Sequence, residues 1–397
     1  MNATRLHSRF TVNPPVPIPA ATIHRFAALR LLLPPVAQTV YTRWQTVGHR
    51  VSNYPLSYKL SWLPRFLKPS LGGDRNGFAA PAATLMVPAP TQTVRLAFIG
   101  DLSAVANRAA PECDPGIAAL LASVDLVVGN CESPIVERPS AVAGTRLGTR
   151  HAMSERFLAD ALAAVGIARD KLVLSLANNH VLDQGVAGFD ETLAALKRLG
   201  VRTIGTTVGG AVQRHTAGPL TIGFAAFTLW RNADQAEFRA RVSMAGDPAE
   251  WPLGILEAVD LLCAVPHWDW EFRHFPKPAT RALARRLAGH GVRLIAGHHA
   301  HVVQPVEGIG DALVAYGLGD FLGTAFARQT WPGRIGSILV VEVRTDAAAR
   351  GKIAAYKLHF FMRLAKGGHE RLVPVEALEE GRLKRKVSER LGAIFSA

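Results

Sequence analysis

From Val94 onward, short apolar runs of strand length alternate with longer segments whose apolar positions follow a helical spacing. The runs predict strands at Val94–Ile99, Leu126–Gly129, Leu172–Leu176, Val201–Gly205, Leu220–Phe227, Val259–Val265, Leu294–Ala296 and Leu313–Tyr316. Helices are predicted at Pro115–Ser123, Ser154–Val165, Val186–Leu199 and Ala279–His290. In the third of these, Ala187, Leu193, Ala194 and Leu196 are set against Lys197 and Arg198. After Gly336, the runs Ser337–Val343 and Ile353–Met362 flank a polar turn and predict an antiparallel hairpin. The whole pattern is α/β with an antiparallel addition, and no internal repeat interrupts it.

Before Val94 the texture is different. Residues 1–90 are rich in Pro and Arg, and the Pro/Ala stretch from Pro81 to Pro90 reads as a linker. Tyr41 to Leu67 holds Trp44, Tyr54, Tyr58, Trp62 and Phe66, a density suited to docking on a surface, this protein's own or a partner's. The apolar stretch Phe26 to Val40 is broken by Arg30, Pro34 and Pro35, and falls short of the ~20 residues that span a bilayer. It also starts late for a signal peptide, with no small-residue cleavage site close behind. The expectation is a protein without a transmembrane anchor, cytoplasmic, with membrane-associated or exported as the alternative.

Composition narrows the class. A chain of 397 residues that is 49% hydrophobic and 19% charged can bury a substantial core, which excludes disordered, collagen-like and coiled-coil readings. Three cysteines, Cys113, Cys131 and Cys263, make no disulfide framework, and reduced thiols are the simpler reading. The net charge of +14 belongs to the ends: residues 1–90 carry +9, residues 363–397 carry +3, and the middle only +2. Basic ends permit peripheral membrane or polyanion contact, but a near-neutral middle gives no support to a specific nucleic-acid face. The expected division is a basic, aromatic extension over 1–90, a main domain over 91–362 and a basic, helical tail over 363–397.

The chemistry sits where the strands end. RLAFIG is followed by Asp101, DLVVGNC by Glu132, and LVLSLA by Asn178, Asn179 and His180 with Asp183 beyond. LLCAVP leads to His267 and Asp269, RLIAG to His298, His299 and His301, and LVAYGLG to Asp320. In open α/β sheets the carboxyl edge of the strands is where ligands bind. Imidazoles mixed with carboxylates suit manganese, iron or zinc, and a pair of ions ~4 Å apart can clamp a phosphoryl group and activate water. On an extended segment, His299 and His301 would point the same way; a sharp turn would aim them at two adjacent ions. Taken singly, Asp101 reads as a cap, the Asn pair as a turn and His267 as a packed core histidine. The three imidazoles between 298 and 301, and the set taken in order, point to a metal. Other routes lack support: Val208–Val212 has no Walker pattern, no Gly-x-Ser-x-Gly elbow exists, and Cys131 has no activating partner.

GDLS, NCESPI, LANNHVLDQG, PHWDWEF, GHHAHVVQPVE and YGLGDFL, in this order, resemble the capsule-biosynthesis CapA family of the poly-γ-glutamate synthesis type, a branch of the calcineurin-like metallophosphatases. The resemblance covers about Val94 to Leu322. It implies a four-layer α/β/β/α sandwich of two mixed sheets and a metal-dependent hydrolase site acting on a phosphoester or related anionic substrate, small or polymeric. It places Asp101 and His301 on a first divalent ion, Glu132 at a bridging position, and Asn179, His267 and His299 on a second. His180 is similar to the leaving-group acid, with Asp183 orienting its ring. Four positions depart from the family pattern: Ser103 replaces the usual His, Cys131 a Leu, Asp269 a Gly and Asp320 an Asn. The Ser103 departure leaves open whether one or two ions bind. It also sustains an alternative from another class, a non-catalytic accessory protein of polymer synthesis or export that binds an anionic polymer or partner through residues 1–90.

Overall fold

The computed structural model describes residues 52–395, apart from 74, 76–77, 79–82, 86–91, 105–108, 141, 146–147, 245–254, 324–328 and 367–368. Phe26 to Val40, and Tyr41 to Val51 of the aromatic region, therefore lie outside the described residues, as does most of Pro81 to Pro90.

Apolar alternation builds two mixed sheets. In the larger, strand Thr93–Leu102 lies at the centre, with the parallel strands Leu126–Asn130, Leu172–Ser175 and Arg202–Ile204 on one side. On its other side runs the antiparallel hairpin Ile335–Arg344 and Ile353–Lys366, extended by His369–Pro374. The smaller sheet runs Val306–Ile309, Ala312–Ala315, Leu294–Ala296, Leu261–His267, Leu220–Thr228 and Gln213–Ala217. Its four inner strands are mutually parallel.

The smaller sheet sorts its side chains by parity. Ile222, Phe224, Ala226, Leu261, Cys263, Val265, Leu294 and Ala296 join Leu96, Phe98 and Leu174 of the larger sheet in one core. The alternate residues Ala225, Phe227, Leu262, Ala264 and Ile295 pack instead on Leu283, Ala284 and Leu287 of helix Pro278–Gly289. Helices Pro115–Ala122, Glu155–Ala164 and Gly185–Arg198 cover the larger sheet through Ile117, Leu121, Leu158, Leu162, Phe189 and Leu196. Helix, sheet, sheet and helix thus form the four layers that the resemblance implies. Asp114 and Ser154 begin the first two of these helices by accepting backbone N–H bonds, as their positions before Pro115 and Glu155 suggest.

After Ala312–Ala315 the chain leaves the smaller sheet, and Asp320–Leu322 pairs parallel with Thr93–Leu102, setting Asp320 beside Asp101. The crossing needs glycine. A Cβ on Gly100 would lie 1.8 Å from the Gly319 carbonyl oxygen, and Gly319 itself has φ +72°. Sequence periodicity overlooked helix Leu56–Leu67. Two prolines flank or interrupt it (Pro55 and Pro64), and its inward face is aromatic rather than aliphatic.

Candidate metal centre

Parallel strands of both sheets deliver their ends to one place. Asp101 ends the central strand, Asn130 and Glu132 follow the next, Asn178 to His180 the third, and His267 and His298 to His301 come from the smaller sheet. All are buried, Glu132 and His299 completely. Left-handed backbone at Asp269, Phe272, His299 and His301 turns the loops inward, at a cost on the order of 1 kcal/mol each. The segment through His299 and His301 is a turn, not an extended run, so the two rings diverge, with centroids 6.0 Å apart.

The ligand-type atoms converge. His267 Nε2 lies 2.8 Å from Asn179 Oδ1, 3.0 Å from His299 Nδ1 and 3.4 Å from Glu132 Oε1. His301 Nε2 is 3.6 Å from the same Glu132 oxygen, and its Nδ1 is 3.6 Å from Asp101 Oδ2. Two triads, Glu132 with His299 and His301, and Asp101 with His301 and Asp320, bring their donor atoms within 4.8 Å of one another.

The electrostatics suit a cation. Burial, reinforced by neighbouring imidazoles, pushes His267 down to about 3 and holds His299 well below the usual histidine range, so both rings are neutral lone-pair donors. Burial and then Glu132 raise Asp101. For His301, burial opposes the charged ring, but Glu132 and Asp320 outweigh it and raise the pKa. Among the described residues, Glu132 Oε1 and His299 Nε2 are buried without a hydrogen-bond partner. Orphaned acceptors of this kind, beside converging neutral imidazoles, fit a divalent ion.

Partners around these atoms fix their aim. Asn130 donates to Asp101 Oδ1 at 2.7 Å, and Asn178 donates to Asn130 Oδ1 at 3.1 Å and to the Cys131 carbonyl at 2.8 Å. The Ser103 hydroxyl hydrogen-bonds Glu132 Oε2. Asp320 Oδ1 takes His301 Nδ1 at 2.6 Å while its Oδ2 accepts from Arg363 at 2.9 Å. Asp269 turns away from the centre, accepting from the Trp270 and Lys277 backbone N–H groups and from Gln304. His298 reaches the Ile99 carbonyl at 3.1 Å, tying one sheet to the other. Burial pushes the Cys131 thiol up to about 12, which suits packing and not nucleophilic attack.

His180 and Asp183 lie beside this cluster. His180 Nδ1 is 2.7 Å from Asp183 Oδ2, the same oxygen that accepts from the His151 backbone N–H. The His151 ring stacks on His180 at 3.7 Å. Burial works against a charged His180, yet Asp183 overcomes it and the pKa is raised.

Sequence reasoning missed Asn130, His151, Trp230, Glu271 and Tyr54. Asn130 sits inside the NCE motif and was within reach of the strand-end argument. Glu271 sits inside the PHWDWEF motif, Tyr54 belongs to the aromatic segment expected to dock on a surface, and His151 and Trp230 come from segments whose local pattern carries no metal-site signal. Glu271 Oε1 lies 3.9 Å from His299 Nε2, and Tyr54 stacks 4.6 Å from Trp230 and 6.0 Å from His299.

These features define a two-sheet α/β protein with a buried histidine–carboxylate–amide centre at the shared carboxyl edge of its sheets. The chain belongs to the bacterial capsule synthesis protein family PGA_cap, whose pattern matches residues 97–325. It is 27% identical over 250 residues to the PGA biosynthesis protein CapA of Bacillus subtilis, covering 59% of this chain and 62% of that one. It is also 27% identical over 220 residues to the capsule biosynthesis protein CapA of Bacillus anthracis, covering 51% of each. The chain thus spans between half and two thirds of the length of these relatives. Among solved structures, it resembles a hypothetical protein from Thermus thermophilus with a TM-score of 0.40 and 18% identity, over 68% of this chain and 99% of that one. No helix among the described residues is long and apolar enough to cross a membrane.

Proposed function

We propose that this protein is a metal-dependent hydrolase of capsule-polymer synthesis, acting on a phosphoester or a related anionic group. The observation that carries the reading is the convergence of His267 and His301 on Glu132 Oε1, an oxygen with no hydrogen-bond partner among the described residues, with Asn179 and His299 closing on His267 Nε2. Asn179, His267 and His299 would hold one divalent ion, Asp101 and His301 a second, with Glu132 between. Such an ion supplies positive charge for a developing oxyanion and acidifies water.

The chain's own groups do the rest. Asp183 accepts the Nδ1 proton of His180 and so fixes the tautomer, leaving Nε2 to carry the proton destined for a leaving oxygen. The Asp183 carboxylate raises the ring's pKa and so favours the charged form that holds this proton. Asp320 orients His301, and Ser103 and Asn130 hold Glu132 and Asp101. The test is turnover of phosphomonoester and phosphodiester substrates by protein purified without chelators. His180→Ala and Glu132→Ala are expected to fall to background while circular dichroism stays that of the wild type. Full turnover by either variant would overturn the assignment.

A second reading, a non-catalytic accessory protein, is favoured by one observation: the hydroxyl of Ser103 is engaged with Glu132 in place of a metal-binding imidazole. It requires that Glu132→Ala leave polymer or partner binding unchanged and that removal of residues 1–90 abolish it.

A further inference from the structure

We propose that Asn53–Phe66 is an access strap, a segment of the chain that closes the candidate centre and must swing aside before anything larger than water reaches it. His299 is wholly buried in the folded chain, and the rings lying against it include Tyr54 and Tyr58 of this segment beside Trp230 and His267. Tyr54 stacks on Tyr58 at 4.4 Å and on Trp230 at 4.6 Å, so the two phenols and the indole form one aromatic slab over the imidazole. The Tyr54 hydroxyl is buried and faces Asn179, at the edge of the candidate centre.

The strap is fastened at its ends and mainly by side chains between them. At one end, Asn53 donates to the Leu229 carbonyl at 2.7 Å and accepts from the Arg231 backbone N–H at 2.9 Å. At the other, the Ser70 backbone exchanges hydrogen bonds with Phe272 and His274, both 2.9 Å, just before Gly72 and Gly73. In between, the Trp62 indole donates to Glu271 Oε2 and Arg65 to the Glu271 carbonyl. The outer face of helix Leu56–Leu67 carries Leu56, Leu60, Leu63 and Leu67, all more than half exposed, so nothing described holds it down from outside. Release of Asn53 and of the Glu271 contacts would let the segment pivot about Ser70. Its ties to the rest of the fold are side-chain contacts, the packing of Tyr54 on Trp230 and of Trp62 and Phe66 on Phe272 among them, and segments held this way open locally more readily than core strands.

The test uses full-length, metal-free protein and needs neither substrate nor an assigned reaction, so it stands apart from the hydrolase reading. Diethyl pyrocarbonate acylation of His299 is followed by peptide mass spectrometry, with the exposed His290 as the reference. In the wild type, His299 is expected to react about tenfold or more slowly than His290, and Asn53→Ala and Tyr54→Ala each to speed it about tenfold. Leu60→Ala, on the outer face, should leave the rate unchanged. Should Tyr54→Ala fail to fold cooperatively, Asn53→Ala decides, because it removes only the fastening. A wild-type His299 as reactive as His290 would overturn the proposal. So would protection that persists in the folded strap variants.

Discussion

Two neighbouring regions bury charge in this molecule, and they do it differently. Around Arg363, a wholly buried guanidinium gives Nη1 to Glu370 at 2.7 Å, and Nη2 to Asp320 and Gln329 at 2.9 Å and to the Gly333 carbonyl at 2.8 Å. The second oxygen of Glu370 accepts from the Gly323 backbone N–H. Charge there is matched by charge inside the chain. In the candidate centre, carboxylates face one another, the neutral rings of His267 and His299, and a His301 whose pKa they raise, and Glu132 Oε1 has no hydrogen-bond partner among the described residues. Asp320 belongs to both regions, one oxygen in each. The first region carries its own cation, although Arg363 Nε is buried without a hydrogen-bond partner among the described residues. The second has the composition of a site completed by a cation, and Asp320 couples its geometry to the rigid network behind it.

The largest expected effect breaks the first region. Arg363→Met leaves Asp320 and Glu370 buried without their cation and should cost about 3–5 kcal/mol in urea denaturation. A loss under about 1 kcal/mol would mean that the two regions do not differ as described. Next comes a buried group outside both. His274, with Nδ1 2.9 Å from the Val303 carbonyl, is pushed by burial down to about 4. Because the unfolded chain binds that proton first, stability is full above pH 6.5 and falls by roughly 3 kcal/mol as pH drops to 4. His274→Gln should flatten this part of the denaturation-midpoint profile, and an unchanged slope would remove His274 as its cause.

The incomplete region should respond in the opposite sense to Arg363, gaining stability from an added ion. Manganese or zinc at about a hundredfold its dissociation constant should stabilise the wild type by about 2.7 kcal/mol and leave His299→Ala unaffected. Thermal unfolding with elemental analysis would show it; no shift in the wild type would count against the centre. The smallest effect concerns Ser103. Ser103→Ala removes one hydrogen bond to Glu132 and should cost about 1 kcal/mol of metal-free stability. Metal affinity, measured calorimetrically, should fall by about ten- to a hundredfold, as for a group that holds a ligand in place; a larger drop would make Ser103 itself a ligand.

Much of the fold was legible because burial leaves a periodic trace. Leu294–Ala296 is found at its predicted bounds, and the paired strands Ile335–Arg344 and Ile353–Lys366 contain the predicted hairpin. The strands missed, such as Gln213–Ala217 and Asp320–Leu322, are half exposed or only three residues long, too short or too polar for a pattern. At the site, the residues standing directly after strands come together, since a parallel strand's end is fixed once the strand is. Trp230, Glu271 and Tyr54 gave no such sign. Tyr54 reaches its neighbour Trp230 across 176 positions, and nothing local marks that meeting.

The sequence by itself determined most of the strands and helices that build the two sheets and their covering layers, and that imidazoles, amides and carboxylates would gather at one sheet edge. Both follow from local rules, the period of burial and the direction of parallel strands. Only the tertiary structure decided that His299 and His301 diverge through left-handed turns, that Asp269 faces away while Asp320 joins His301 to Arg363, and that an N-terminal strap covers the centre. Those outcomes depend on which side chains meet across long stretches of chain, and packing of distant surfaces, not spacing along the chain, selects them.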